Sequence, residues 1–149
     1  MEPTIVDQAA FTVVGVVGRA SPGRHDYAAL WSAFSARAGP VQAVAGGNLY
    51  YGVHLSCEEP EVVDYLAGMS VPSGTAVAGM ETREVPAGRY AAFSCTMATI
   101  GRTFGYVYGG WQPPEGWQID HTRPDIEAYT GEGPEAPAEI RIPLTPTVR

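Results

Sequence analysis

The sequence predicts an α+β fold made of two similar strand–helix–strand–strand units. Three observations predict it: runs of β-branched and aromatic residues with strand-like alternation, two stretches whose apolar residues have helical spacing, and a return of the same order of elements after about 75 residues. One helix cannot cover both faces of its strands, so we expect the units to pair around a pseudo-two-fold axis, with an antiparallel sheet and two helices flanking a central ligand groove. Residues 1–149 are predicted to form one domain, with halves of approximately 1–74 and 75–149.

The first half contains the pattern of one helix and three strands. Residues 10–19 are apolar on both faces, which is typical of a covered central strand. Residues 26–38 place their apolar side chains on one face of a helix, which Gly39–Pro40 is expected to end. The alternating run 48–56 and the run 62–71 are predicted to form a hairpin.

The second half repeats this order. Residues 80–96 contain two short strand-like stretches around a turn at 86–88, and residues 100–111 have the apolar spacing of a helix. Strands are predicted at 125–130 and 139–144.

Three glycines recur every four residues along one flank of the second predicted helix: Gly101, Gly105 and Gly109. Each costs about 0.5–1 kcal/mol relative to alanine within a helix. They would let another backbone or a flat ligand approach closely, and we favour the packing interpretation.

Composition excludes several functions. Sixteen acidic residues oppose nine basic ones, all of them arginine, for a formal charge of -7. Without lysine, Schiff-base, pyridoxal-anchoring and phosphate-loop chemistry are impossible. Scattered arginines on an acidic chain argue against a nucleic-acid partner, and no apolar run approaches the ~20 residues of a membrane span.

Cysteine and histidine usage predicts neither a disulfide framework nor a metal site. Cys57 and Cys95 lack redox or zinc spacing, and no secretory leader is recognisable, so we expect a cytoplasmic protein. His25, His54 and His121 are far apart and show no ligand spacing. No cofactor is expected, because no dinucleotide, nucleotide or hydrolase-elbow motif is present.

The strand at 125–130 contains the best candidate for a functional pair. Alternation places Glu127 and Tyr129 on the same face, about 7 Å apart. From spacing alone, a solvated outer face is favoured over a groove. Five aromatic residues nevertheless lie close together in the sequence: Tyr106, Tyr108, Trp111, Trp117 and Tyr129.

Ring faces combined with one carboxylate suit a planar or cationic organic ligand. Tyr108 and Trp111 also lie on the apolar stripe of the helix, so either could face the core or the groove.

Segments through nearly the whole chain carry a family resemblance. They include Tyr-Gly-Val at 51–53, Val-Pro-Ala-Gly-Arg-Tyr-Ala-Ala-Phe at 85–93, Tyr-Val-Tyr-Gly-Gly-Trp-Gln-Pro at 106–113 and Asp-Ile-Glu-Ala-Tyr at 125–129. In order and spacing the chain resembles the GyrI-like effector-binding domains, found alone or fused to AraC-type and MerR-type transcription regulators. The resemblance implies a tandem of two strand–helix–strand–strand units that binds hydrophobic, often cationic, drugs between them.

The resemblance also implies site residues. A glutamate in the penultimate strand is the usual charged contact of the family and corresponds here to Glu127, which turns a predicted surface charge into a predicted ligand contact. Trp117 stands where many members have tyrosine, so its larger ring is expected to narrow the groove. The ligand contacts expected from the resemblance and from the aromatic cluster are Glu127, Tyr129, Tyr51, Tyr108, Trp111 and Trp117.

Three functions follow as hypotheses. The first is a stand-alone protein, without a helix-turn-helix segment, that senses or sequesters hydrophobic aromatic small molecules, cations among them. The second is a hydrolase that opens the cyclopropane of DNA-alkylating antibiotics, as some stand-alone members do, with Glu127 as general base and Tyr129 as acid. The third is a protein that binds DNA gyrase, for which acidity alone is weak support.

Overall fold

A computed structural model describes residues 2–20, 26–56, 61–131 and 133–147. His25 and Cys57, which were considered in the sequence, therefore lie outside the described residues. In chain order the elements are β1 (Thr4–Gln8), β2 (Phe11–Ala20), α1 (Tyr27–Ser35), α2 (Gly39–Val44), β3 (Tyr50–Ser56), β4 (Val63–Val71), β5 (Glu81–Val85), β6 (Gly88–Thr96), a 3-10 turn (Met97–Thr99), α3 (Ile100–Gly110), β7 (Trp117–Ile119), β8 (Asp125–Tyr129) and β9 (Pro137–Pro146).

The strands form one antiparallel sheet of nine strands within the described residues, so the predicted α+β class is confirmed. Their order is β1-β6-β9-β8-β3-β4-β2-β5, with β7 pairing to β9 beside this path. Exchanging β1, β2, β3 and β4 for β5, β6, β8 and β9 gives the same order read from the other end. This is the strand order expected of two units related by a pseudo-two-fold axis.

The two units exchange their outermost strands. β1, which was not predicted from the sequence, pairs with β6, and β5 pairs with β2. The strands on either side of the predicted turn at 86–88 therefore belong to opposite ends of the sheet. Each half of the sheet is completed by a strand from the other half of the chain.

The first predicted helix was too long. α1 begins after Asp26, whose side chain accepts a hydrogen bond from the Ala29 N–H at 3.0 Å, and it ends at Ser35. Gly39 and Pro40, which were expected to end the first helix, are the first two residues of α2. Proline is compatible with the first turn of a helix, because the N–H groups there need no partner within the helix. α2 and β7 were both missed from the sequence.

The packing interpretation of the α3 glycines was wrong. Outside the helix itself, no atom of the described residues lies within 4 Å of a Cβ placed at Gly101, Gly105 or Gly109. This flank of α3 faces open space.

The helices cover the two ends of one sheet face and leave its centre between them. α1 packs on β2 and β4, with Phe34 fully buried, and α3 packs on β6 and β9, with Val107 buried. The opposite face has its own core, which includes Val13 from the first half and Ile126 from the second. The central strands β3 and β8 thus form the floor of a groove between α1 and α3.

Candidate functional site

Glu127 lies at the centre of this floor. It is the middle residue of β8, opposite Gly52 of β3 on one side and Ile140 of β9 on the other. Alternation directs Glu127 to the helix side of the sheet and its neighbour Ile126 to the opposite core. Only 6% of Glu127 is exposed, so its carboxylate is buried where the two units meet.

Three side chains hydrogen-bond the Glu127 carboxylate. The Nε2 atom of His54 lies 2.5 Å from Oε2, and the Tyr65 hydroxyl donates to Oε1 at 2.9 Å. The Tyr129 hydroxyl also donates to Oε1. Trp31 extends this network from α1, since its Nε1–H donates to the Tyr65 hydroxyl at 3.0 Å. A buried carboxylate needs such partners, because desolvation without them costs several kcal/mol.

The surroundings of His54 favour its charged form. Burial lowers the pKa of the imidazole, but the hydrogen bond and charge of Glu127 and the charge of Asp125 together raise that pKa above its ordinary value of 6.5. Below this raised pKa, His54 and Glu127 form an imidazolium–carboxylate pair.

The tyrosines on Glu127 stay protonated. Burial and the charge of Glu127 raise the pKa of both Tyr65 and Tyr129 above the ordinary value of 10.0. Both hydroxyls thus remain hydrogen-bond donors to the carboxylate over the physiological range.

A second carboxylate lies beside the first on the same face of β8. Asp125 pairs with His54 across the sheet and accepts a hydrogen bond from the Tyr108 hydroxyl at 2.5 Å. Burial raises the pKa of Asp125, against the opposing effects of the Tyr108 hydrogen bond and the charges of His54 and His121. The floor of the groove therefore carries two carboxylates and one imidazole.

Aromatic rings flank these polar groups on both sides. Tyr27 packs edge-on against Tyr65, with ring centroids 4.7 Å apart, and Phe104 packs against His54 at 5.4 Å. On the other side Trp31 contacts the ring of Tyr129 at 5.6 Å. The groove can thus offer both negative charge and ring faces to a ligand.

A cavity of about 280 Å³ adjoins the Tyr129 side of the site. It lies between α1, α2 and the segment that precedes α3, and its wall contains residues from both halves of the chain. The lining residues are Trp31, Ser35, Ala38, Gln42, Tyr50, Met97, Tyr129 and Gly131. This volume is slightly below the range of about 300–1,000 Å³ that is typical of small-molecule sites.

Some of the predicted ligand contacts lie at the carboxylates of the groove floor, and others lie elsewhere in the structure. Tyr129 touches Glu127, and Tyr108, half exposed, lies at Asp125. Trp111 packs in the core beneath α3, with its ring 5.0 Å from that of Phe93.

Two further predicted residues lie away from the Glu127 carboxylate. Tyr51 is on the opposite sheet face, stacked against Phe11 at 5.1 Å, because it precedes Gly52 by one residue. Trp117 lies under the Arg89 guanidinium and pairs with Pro146, six residues and roughly 20 Å along β9 from the partner of Glu127.

Three residues of the hydrogen-bond network around Glu127 were not predicted from the sequence: His54, Tyr65 and Trp31. His54 and Tyr65 are 73 and 62 residues from Glu127 in the chain, so only the pairing of β3 with β4 and β8 brings them together. Trp31 was read as part of the apolar stripe of its helix. No short-range pattern identifies any of them.

Within the ranges that the structure describes, no cluster of three or more histidine, cysteine, aspartate or glutamate residues has the arrangement of a metal site. Among the same residues, no helix combines the length and apolar character needed to span a bilayer.

Comparison with known proteins gave one family and several similar folds. The family model described as GyrI-like small molecule binding domain matches residues 1–145. SAV2435 bound to tetraphenylphosphonium is 16% identical with a TM-score of 0.77, over 97% of this chain and 94% of that one. An integron cassette protein of Vibrio cholerae is 21% identical with a TM-score of 0.72, over 97% and 96%.

A more distant structural match is a hydrolase from Listeria innocua. It is 10% identical with a TM-score of 0.55, over 97% of this chain and 92% of that one. A search of curated proteins gave no match. At these identities the structural likeness establishes a shared fold.

Proposed function

The chain belongs to the GyrI-like small-molecule binding domains, and we propose that its ligand is a hydrophobic aromatic cation held in the central groove with Glu127 as the charged contact. The observation that carries this proposal is a carboxylate only 6% exposed among aromatic rings at the junction of the two units. An organic cation gains from a desolvated carboxylate and from ring faces together. The bound tetraphenylphosphonium of SAV2435, a protein of the same fold, supports this ligand class.

The cavity beside Tyr129 gives the ligand its point of entry. Trp31 and Tyr129 form an aromatic wall there, while the Tyr129 hydroxyl occupies one oxygen of Glu127. A ligand that displaces the Tyr129 side chain joins the cavity to the carboxylate. Tyr108 flanks the other end of the groove, beside Asp125.

Titration with tetraphenylphosphonium tests this function. We expect Glu127→Gln to weaken binding at least about tenfold, because one unit charge near the cation is removed at an effective dielectric constant of about 20. Glu139→Gln is the matched control, since Glu139 lies on the next strand, on the opposite face, and pairs with Arg141 at 2.6 Å. Equal affinity of the wild-type protein and Glu127→Gln would contradict the role of this carboxylate.

A hydrolase is the second candidate, favoured by the proton-carrying side chains around Glu127 and by the fold shared with the Listeria innocua hydrolase. In the cyclopropane opening, a water oxygen would bond to a ring carbon as the ring C–C bond breaks, and its proton would pass to Glu127. The electron pair would move to the phenolate-type oxygen of the substrate, which takes a proton from Tyr129, and Glu127 would return a proton to Tyr129. Mass spectrometry of such a compound after incubation tests this, with the gain of one water as the expected signal and no product at high protein concentration as the contrary one.

A further inference from the structure

We propose that the protonation state of His54 determines which ligand charge the groove accepts. Protonated His54 is the counter-ion of Glu127 in the free protein. Cations therefore bind best when His54 has lost its proton. This inference rests on the proposed function and adds a regulation of the same site. Neither the family match nor the structural neighbours assign a role to this histidine.

The contact geometry carries the inference. His54 Nε2 is 2.5 Å from Glu127 Oε2, whereas the Tyr65 and Tyr129 hydroxyls donate to the other carboxylate oxygen, Oε1. The His54 side chain is 22% exposed and that of Glu127 is 8% exposed, so their charges interact with little screening. An organic cation directed at Glu127 therefore meets a position that the imidazolium already neutralises.

Each element packed around His54 contributes a side chain that faces it. Glu127 and Asp125 face it from β8, and Tyr65 faces it from β4 with ring centroids 5.0 Å apart. α1 contributes Tyr27 at 6.4 Å and α3 contributes the uncharged ring of Phe104. Tyr108 and His121 act on it through Asp125.

Because the tyrosines are neutral, the net charge of this sheet face changes with the protonation of His54. Loss of the His54 proton makes the net charge of this face more negative by one unit, because the tyrosines keep their protons. A bound cation and the His54 proton thus oppose each other. By linkage, cation binding must release a proton wherever His54 is charged in the free protein.

Affinity for a cation should therefore rise with pH. His54 is protonated below its elevated pKa, and the repulsion that it exerts on a cation is lost as pH rises through that pKa. We expect the Kd of tetraphenylphosphonium to fall by about tenfold or more between pH 6 and pH 9, for two unit charges a few ångströms apart. A neutral analogue, triphenylphosphine oxide, should keep its Kd within about twofold over the same range.

The experiment measures both ligands by calorimetry from pH 6 to pH 9 with wild-type protein, His54→Gln and His121→Gln. The glutamine at position 54 can still donate a hydrogen bond to Glu127 but cannot be charged, so its affinity for tetraphenylphosphonium should be high and independent of pH. His121→Gln removes an exposed histidine whose charge acts on Asp125 but which makes no hydrogen bond to Glu127 among the described residues, so affinity should still rise with pH in this variant. Repeating the titrations in buffers of different ionisation enthalpy counts the protons released on binding.

A nuclear magnetic resonance titration of the His54 ring in wild-type protein keeps the inference testable if His54→Gln does not fold. The ring should lose its proton at a lower pH when tetraphenylphosphonium is bound than when it is absent. Binding of tetraphenylphosphonium with the same Kd at every pH and no proton release would overturn the role of His54 while leaving the proposed function intact. No binding at any pH would overturn the proposed function, and this inference with it.

Discussion

Gly52 faces Glu127 across the β3–β8 pair, and the absence of a side chain at Gly52 provides the space in which the carboxylate and its tyrosine meet. A Cβ at position 52 would lie 2.1 Å from the Tyr65 hydroxyl oxygen and 2.7 Å from Glu127 Oε1. Both distances are far below van der Waals contact. The hydrogen bond between Tyr65 and Glu127 thus depends on a glycine in the neighbouring strand.

Gly52→Ala should separate Tyr65 from Glu127 and destabilise the protein. Overpacking of a buried site typically costs 1–3 kcal/mol, and the loss of a donor to a buried carboxylate acts in the same direction. Urea unfolding measures the change, with Gly47→Ala as the control because a Cβ there meets no atom within 4 Å. Equal stability of the two variants would show that the site tolerates a larger residue at position 52.

Alternation in the sequence was enough to place Glu127 and Tyr129 side by side. Period-2 patterning also put Tyr51 on the face with Val53, where the structure has it, although the family resemblance implied a groove position. Local periodicity determines the face of a strand, so a residue pair within one strand can be predicted from sequence.

Contacts between distant strands could not be predicted in this way. His54 reaches Glu127 only through the register that pairs β3 with β8, and β1 joins β6 on the opposite half of the sheet. Both depend on which strands become neighbours, which a single sequence does not reveal. The short helix α2 was hidden for another reason, since its opening Gly39–Pro40 is also a common helix terminator.

Gly105→Ala should stabilise the protein by about 0.5–1 kcal/mol. Position 105 is in the interior of α3, and an added methyl group meets open space there, so the substitution only reduces the conformational freedom of the unfolded chain. Thermal unfolding should show a higher Tm. Gly116→Ala is the control with the opposite expected result. Gly116 has φ +88°, a conformation that strains any residue with a side chain, so this variant should have a lower Tm.

Tyr65→Phe should destabilise the protein by roughly 1–3 kcal/mol, because it removes two hydrogen bonds of the network around Glu127. Glu127 would lose a donor, and the Trp31 Nε1–H would lose its acceptor. Chemical denaturation of this variant should be compared with Tyr51→Phe, which changes a tyrosine on the opposite sheet face and should stay within about 0.5 kcal/mol of wild type. A Tyr65→Phe variant as stable as Tyr51→Phe would mean that water replaces the lost hydroxyl.

His54 should stabilise the fold most at low pH. Its pKa is raised in the folded protein above the ordinary value of 6.5, so the ion pair with Glu127 contributes fully below pH 6.5 and its contribution is lost as pH rises through the folded-state pKa. Wild-type protein should exceed His54→Gln in free energy of unfolding by roughly 1–3 kcal/mol at pH 6, the range of a charge-assisted hydrogen bond, and by less at pH 9. Urea unfolding across this range, with His121→Gln as control, measures the difference. A gap that widens as pH rises would mean that burial outweighs the attraction of Glu127, and that His54 is neutral in the folded protein.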